Sequence, residues 1–162
     1  MRVTVQKAAP QDLDAIAALY GAVCDYLADK PFNPGWRRDI FPAREDAAQY
    51  LAADALYIAL DGGRIAGSIA LTPEAEGVLF IHELAVHPNF HRRGVGSALL
   101  DFAVKEGIHR GADVLRLHVW EGNGPAIQTY EKNSFVRVGK EDIGLGELGL
   151  HWFYLYEKRL DR

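Results

Sequence analysis

The residues whose types and spacing could do chemistry lie between His82 and Ser97, in the run His82-Glu83-Leu84-Ala85-Val86-His87-Pro88-Asn89-Phe90-His91-Arg92-Arg93-Gly94-Val95-Gly96-Ser97. It reads as an apolar strand that passes through a basic, glycine-punctuated turn into a helix. Gly94 and Gly96 permit a tight turn that brings main-chain N–H groups close to a ligand, and the positive end of the following helix favours an anion there. Arg92 and Arg93 add guanidinium groups suited to phosphate oxygens. The chemistry implied is recognition of a phosphorylated ligand. Glu83 is a carboxylate inside an otherwise apolar strand that leads into this turn, where desolvation raises a carboxyl pKa toward the range of a general base. An ion pair with Arg116 or Arg64 that merely holds a sheet together is the competing reading. His82 is the neighbouring alternative base, on the opposite face of the strand unless a bulge intervenes.

The elements that must position these residues follow from periodicity. A strand is expected at Val3–Gln6. Leu13, Ile16, Tyr20, Val23 and Leu27 then form the stripe of an amphipathic helix ending near Asp29. Pro31–Pro42 carries three prolines with Phe32, Trp36 and Phe41, the composition of an irregular functional loop. A second helix is expected at Arg44–Ala53. Ala55–Leu60 and Arg64–Leu71 flank Asp61-Gly62-Gly63 as a β-hairpin, and Val78–Val86 is a further strand. Val95, Ala98, Leu99, Phe102 and Ala103 mark the helix after the basic turn, stopping near Gly111. Val114–Val119 is the next strand, Ala126–Lys132 a short helix with Pro125 in its first turn, and Phe135–Lys140 and Leu150–Glu157 a closing strand pair. This order predicts a mixed α/β fold, a mainly antiparallel central sheet with helices on both faces.

The basic turn resembles the Arg/Gln-x-x-Gly-x-Gly/Ala pyrophosphate loop of the GNAT family, the GCN5-related N-acetyltransferases, with His91 in the first position. The segment Asn123-Gly124-Pro125-Ala126-Ile127-Gln128-Thr129-Tyr130-Glu131-Lys132-Asn133-Ser134-Phe135 resembles that family's second coenzyme segment, with Ser134 in place of a glycine. Asp12 to Tyr20, and Ile65-Ala66-Gly67-Ser68, resemble its opening helix and hydrophobic-Gly strand, so the likeness covers nearly the whole chain. The resemblance implies a GNAT-like acyl-CoA N-acyltransferase fold, with acetyl-CoA as cosubstrate and an amine as acceptor. It also implies that His91, Arg92, Arg93, Gly94, Val95, Gly96 and Ser97 hold the pyrophosphate. Main-chain amides of Leu84, Ala85 and Val86 would meet the pantetheine arm and the thioester carbonyl, with side chains that are simply core, and Asn123 and Ala126 belong to the second coenzyme segment. Tyr130 matches the tyrosine that donates a proton to the departing sulfur, a task open to a phenol that stays protonated at neutral pH. Asn123 and Ser97 also have plain explanations, as a helix N-cap and an exposed first-turn serine.

The expected activity is acetyl transfer to a primary amine of a small molecule by direct attack in a ternary complex. A protein or peptide N-acetyltransferase acting on an N-terminal or lysine amine is the alternative within the enzyme class, and a non-catalytic acyl-CoA sensor on the same fold is the alternative outside it. Acceptor specificity is expected in Pro31–Pro42, Trp120 and His151-Trp152-Phe153.

Composition bounds the rest. At 162 residues and 49% apolar, residues 1–162 are expected to form one domain with a core that needs no staple. One cysteine allows no internal disulfide, and the N-terminus lacks an uninterrupted apolar segment, so a reducing cytoplasm is expected. Net charge is −4 and no apolar run approaches the roughly 20 residues that span a bilayer, which argues against nucleic-acid and membrane partners and leaves a homodimer open. Two motifs are decoys. Gly144-Leu145-Gly146-Glu147-Leu148-Gly149 matches the dinucleotide pattern G-x-G-x-x-G, but an aromatic strand rather than a helix follows it. His82-Glu83 with His87 is one residue too long for a zinc-protease helix and lies on a strand, so no metal is expected.

Overall fold

A computed structural model describes residues 3–161. Seven strands, β1 (Val3–Lys7), β2 (Leu56–Asp61), β3 (Arg64–Ala75), β4 (Val78–Val86), β5 (Val114–Trp120), β6 (Val136–Glu141) and β7 (Phe153–Arg159), form one sheet in the order β1-β2-β3-β4-β5-β7-β6. Four helices connect them: α1 (Leu13–Leu27), α2 (Arg44–Ala52), α3 (Val95–His109) and α4 (Gly124–Lys132). Every ladder is antiparallel except β4 with β5, and α3 is the crossover between those two.

Both faces of the sheet centre are buried, because successive residues of β2 and β3 supply one core each. Ile16, Leu19, Tyr20 and Val23 of α1, with Ala47 of α2, cover Leu56, Ile58 and Ala70. Leu99, Leu100 and Ala103 of α3 cover Ala59, Ile69 and Leu71 on the other face, where Leu115, Leu117 and Tyr156 continue the core. Gly67 is where α3 and β4 close on β3: a Cβ there would lie 2.8 Å from Ala85 O and 2.9 Å from Val95 Cγ1, a separation only glycine permits.

Element types and order match expectation; several ends differ. β3 runs on to Ala75, because its partner β4 supplies a ladder out to Val78. α1 stops at Leu27 rather than Asp29, and α4 starts at Gly124 rather than Ala126, with the Asn123 side chain accepting from Ala126 N (3.3 Å) as its N-cap. β7 begins at Phe153 instead of Leu150. Gly146–Leu148 forms a 3-10 turn closed by Leu150 N donating to Leu145 O (3.2 Å), which takes Leu150 out of the ladder. That turn leads to β7 and not to a helix, so Gly144–Gly149 has none of the surroundings of a dinucleotide site.

Candidate active site

The site opens where the sheet comes apart. β4 and β5 pair only at Val78 with Val114, Leu79 with Leu115 and Phe80 with Arg116. Beyond these, His82–Val86 and Leu117–Trp120 diverge, and the strand edges that would have bonded each other face a cleft. A bulge helps. Ser68 pairs with Ala85 and Ala70 with His82, so two steps along β3 correspond to three along β4. The extra residue is absorbed at Glu83, whose φ is +39°, a left-handed value rare for a residue with a side chain. This bulge breaks the alternation that would have sent His82 and Glu83 to opposite faces, and both line the same groove.

Two grooves meet in the cleft. One, of about 660 Å³, runs along the end of β4, the turn before α3 and the start of α4. The other, of about 560 Å³, lies between β4, β5, the Trp36 loop and the β6–β7 connection. Val23, Leu27, Leu84, Asn123, Ala126 and Tyr130 border both, so Tyr130 and the Leu84 bulge stand at the junction.

The first groove carries the anion cradle. Gly94 caps α3 at φ +75° and Arg92 is also left-handed at φ +64°, so the chain doubles back immediately before the helix. The first main-chain bond of α3 runs from Ala98 N to Gly94 O (2.9 Å), which leaves the preceding amides of the first turn without intrahelical acceptors. His91, Arg92, Gly94, Val95, Gly96 and Ser97 border this groove, as do Val86, Asn123, Ala126 and Tyr130. Arg93 departs from expectation. Its guanidinium reaches Asp61 at 3.3 Å and lies 5.7 Å from the Phe90 ring centre, so the acidic end of β2 draws this side chain away from the groove. The His91 ring stands edge-on to Tyr26 at 5.0 Å, and burial lowers its pKa. Ser97 Oγ accepts from Asn133 Nδ2 (3.3 Å), tying α3 to the end of α4. Leu84 and Val86 border the grooves instead of being wholly core, whereas Ala85 is buried against the α1 side as expected.

The second groove carries the ionisable groups. Burial raises the Glu83 carboxyl pKa, with Asp46 adding to the rise and the Tyr50 phenol pulling it partly back. Glu83 Oε2 is buried without a hydrogen-bond partner, and the expected alternative pairing is not formed. Arg116 instead bridges Glu74 (2.8 Å) and Glu157 (2.6 Å), and Arg64 lies over the Phe90 ring at 5.2 Å. The His82 ring stacks on Tyr50 at 5.5 Å, shares a 2.7 Å hydrogen bond with Thr72 Oγ1, and has its pKa lowered by burial. Tyr130 is 9% exposed, and burial pushes its phenol pKa well above the ordinary value.

Of the expected specificity residues, Trp36, Trp120 and Phe153 border the second groove, but Trp152 does not: Lys140 covers its ring at 5.0 Å and His151 stands edge-on to it. The Trp36 loop is ordered by Asn33, which accepts from Trp36 N (2.8 Å) and donates to Trp36 O (3.1 Å). Tyr20, Tyr50 and Phe80 bear on the site although periodicity marks them only as helix and strand residues. Among the described residues no group of three or more His, Cys, Asp and Glu could hold a metal ion, and no helix is long and apolar enough to cross a membrane.

The model of the Acetyltransferase (GNAT) family matches residues 21–135, which takes in the bulge, the basic turn and Tyr130. The chain belongs to this family. Among curated relatives, S-(2-succino)cysteine N-acetyltransferase of Bacillus subtilis is 30% identical over 114 residues, 60% of this chain and 64% of that protein. Streptothricin acetyltransferase of Streptomyces lavendulae is 29% identical over 140 residues, 83% of this chain and 74% of that protein. Two other curated relatives are matched over only 23% and 27% of their own length. Among solved structures, Ard1 from Thermoplasma volcanium superposes with a TM-score of 0.80 at 18% identity over the whole of both chains. The protein yncA of Salmonella typhimurium, solved with its cofactor acetyl-CoA, does so at 0.75 and 17% identity over 99% of this chain and 95% of that one. These likenesses give this GNAT chain its fold, a seven-stranded mixed sheet between helices.

Proposed function

We propose that this GNAT protein is an N-acetyltransferase that moves an acetyl group from acetyl-CoA to a primary amine of a small molecule by direct attack in a ternary complex. The observation that carries the reading is the meeting of an anion-cradling groove and a carboxylate-bearing groove at Tyr130. The residues present suit coenzyme A: the cradle before α3 offers first-turn amides and Arg92 for a pyrophosphate, and the groove from there to the cleft is long and largely apolar. His91, Gly94, Val95, Gly96 and Ser97 would line the pyrophosphate, Leu84, Val86, Asn123 and Ala126 the pantetheine. When bound, acetyl-CoA supplies an acetyl thioester.

The chain's own residues then have three tasks. Glu83 takes a proton from the incoming ammonium at its unpartnered Oε2, and the desolvation that raises its pKa brings it closer to the working pH of a general base. Main-chain amides at Leu84, next to the bulged Glu83, would steady charge developing on the carbonyl oxygen. Tyr130 gives its hydroxyl proton to the sulfur, because burial keeps the phenol protonated across the whole physiological range. The balance is one C–N bond formed and one C–S bond broken; the sulfur keeps the electron pair and gains a proton, and the nitrogen, passing from ammonium to amide, loses two, one to Glu83 and one that replaces the proton Tyr130 gave up.

The second groove is bordered by Pro34 and Trp36 of the Trp36 loop and by Ile143 and Leu145 of the β6–β7 connection, an arrangement that suits a small acceptor better than a protein segment. Gly35 of the Trp36 loop comes so close to Leu150 that a Cβ there would lie 2.9 Å from Leu150 Cδ1, which joins the loop to the β6–β7 connection. The acceptors named for the two relatives above, S-(2-succino)cysteine and streptothricin, are both small amines. The test is release of free thiol from acetyl-CoA with a panel of small amines and a matched panel of peptides. Turnover confined to peptides would replace the small-molecule reading, and coenzyme binding with no turnover of any amine would replace the enzyme by a sensor.

A further inference from the structure

We infer that the acceptor is an amine with an apolar, aromatic body that carries no carboxylate or phosphate beside its nitrogen. The inference rests on the acetyl-transfer reading and goes beyond it by naming the substrate's chemical class.

Charge in the second groove is one-sided. Glu74 and Glu83 line it, and no lysine or arginine does among the described residues. Arg116 on β5, which reaches Glu74 at the groove, is committed to Glu74 on one side and Glu157 on the other. Neither histidine of the lining supplies the missing cation. His82 is stacked on Tyr50, lies 4.7 Å from the Phe80 ring and is held by Thr72, in surroundings that favour its neutral form. His118 is engaged with Glu141 through a 3.2 Å hydrogen bond.

The walls between these groups are aromatic: Phe80, Trp120, Trp36, Phe41 and Phe153. Such walls accept an apolar body by burial and an ammonium by its charge. A carboxylate held next to the reacting nitrogen would be stripped of water in that space and set against Glu83, with the one nearby guanidinium, Arg116, already shared between Glu74 and Glu157, which is a device for rejecting it. Arg37 and Arg38 line a separate pocket of about 530 Å³ beyond Trp36 and Trp120, where Arg38 is bonded to Asp25 at 2.8 Å. An anion could meet them only at the far end of a longer molecule, not beside the amine.

The test compares 2-phenylethylamine with L-phenylalanine, which share ring and amine and differ by the carboxylate, and includes L-phenylalanine amide, which removes the charge but keeps the bulk. Free thiol is followed at saturating acetyl-CoA, and binding of each amine to the CoA-loaded protein is measured by calorimetry. The expected result is a kcat/KM for 2-phenylethylamine at least ~10-fold above that for phenylalanine, with the amide recovering most of the difference. Ile143→Arg, which places a cation at the half-exposed rim of the groove, should narrow the ratio without changing acetyl-CoA affinity. Equal or better turnover of phenylalanine overturns the inference while leaving acetyl transfer standing. If no amine releases thiol although acetyl-CoA binds, acetyl transfer itself fails and calorimetry alone judges the class: equal affinity for the pair, or none for either, overturns it.

Discussion

Thr72 Oγ1 and His82 Nε2 are joined by a 2.7 Å hydrogen bond across β3 and β4, while the next residue along β4, Glu83, has a buried Oε2 with no partner. The bulge turns both side chains into one groove, where Thr72 holds one ring nitrogen of His82 and Glu83 keeps one carboxyl oxygen without a hydrogen-bond partner.

Glu83→Gln should therefore cost far more activity than His82→Gln. The loss should be largest near neutral pH and shrink as rising pH deprotonates the amine without help. In the wild type, kcat/KM should fall with decreasing pH as Glu83 is protonated, through a pKa above the ordinary carboxylate range. A flat ratio of wild-type to Glu83→Gln rates from pH 6 to about pH 9 would make Glu83 structural and return the role of base to His82 or a water.

The same raised pKa has a consequence for stability. Between the ordinary value of about 4.5 and the raised folded value, the folded state binds more protons at Glu83 than the unfolded chain does, so this group destabilises the fold as pH rises through that window. Glu83→Gln should have nearly the wild-type Tm below it and a higher Tm than wild type above it. Thermal melts at about pH 4, below the ordinary carboxylate value, and at about pH 8 check the sign.

Tyr130→Phe deletes the hydroxyl and keeps a ring that packs 5.9 Å from Phe135. A general acid typically contributes about 10²-fold or more, so kcat should drop by about that factor with Tm and acetyl-CoA affinity nearly unchanged. Because burial holds the phenol protonated, the wild-type profile should show no loss of activity assignable to Tyr130 below about pH 10. Turnover within a factor of about two of wild type, well below the usual general-acid contribution, would mark Tyr130 as a packing residue.

The two arginines of the basic turn should behave differently. Arg92 borders the coenzyme groove and Arg93 is drawn to Asp61, so Arg92→Ala should weaken acetyl-CoA binding several-fold more than Arg93→Ala. Calorimetry on the two variants decides, and equal losses would mean Arg93 leaves Asp61 when the coenzyme arrives.

Two glycines separate ligand space from packing space. A Cβ at Gly96 would meet only Val86 Cγ2 at 3.8 Å and Thr129 Cγ2 at 3.9 Å, so Gly96→Ala should fold normally, whereas Gly96→Trp should fill the groove and abolish coenzyme binding in a folded protein. Gly67→Ala should instead destabilise the fold by about 1–3 kcal/mol, because its Cβ would press on Ala85 O and Val95. Chemical denaturation and coenzyme titration on the three variants distinguish these effects.

Periodicity and turn chemistry determined the kind and order of the elements, since they are local properties: the α1 stripe from Leu13 to Leu27, the Asp61-Gly62-Gly63 turn and the glycine-punctuated turn before Val95 all stand where sequence put them. The same locality made the anion cradle legible, because its amides come from consecutive residues. Which way a side chain faces across a distorted strand is not local. The bulge that brings His82 beside Glu83 exists only because β3 and β4 pair out of step, and the groups that act on Glu83 come from α1 and α2, more than thirty residues earlier, which carry Tyr20, Asp46 and Tyr50 to it. That Arg93 reaches Asp61 is equally invisible in the sequence, because β2 brings Asp61 to it from thirty-two residues away. The charge of the acceptor groove was likewise settled by tertiary contacts, because Arg116 is an available cation in the sequence and a neutralised one between Glu74 and Glu157 in the fold.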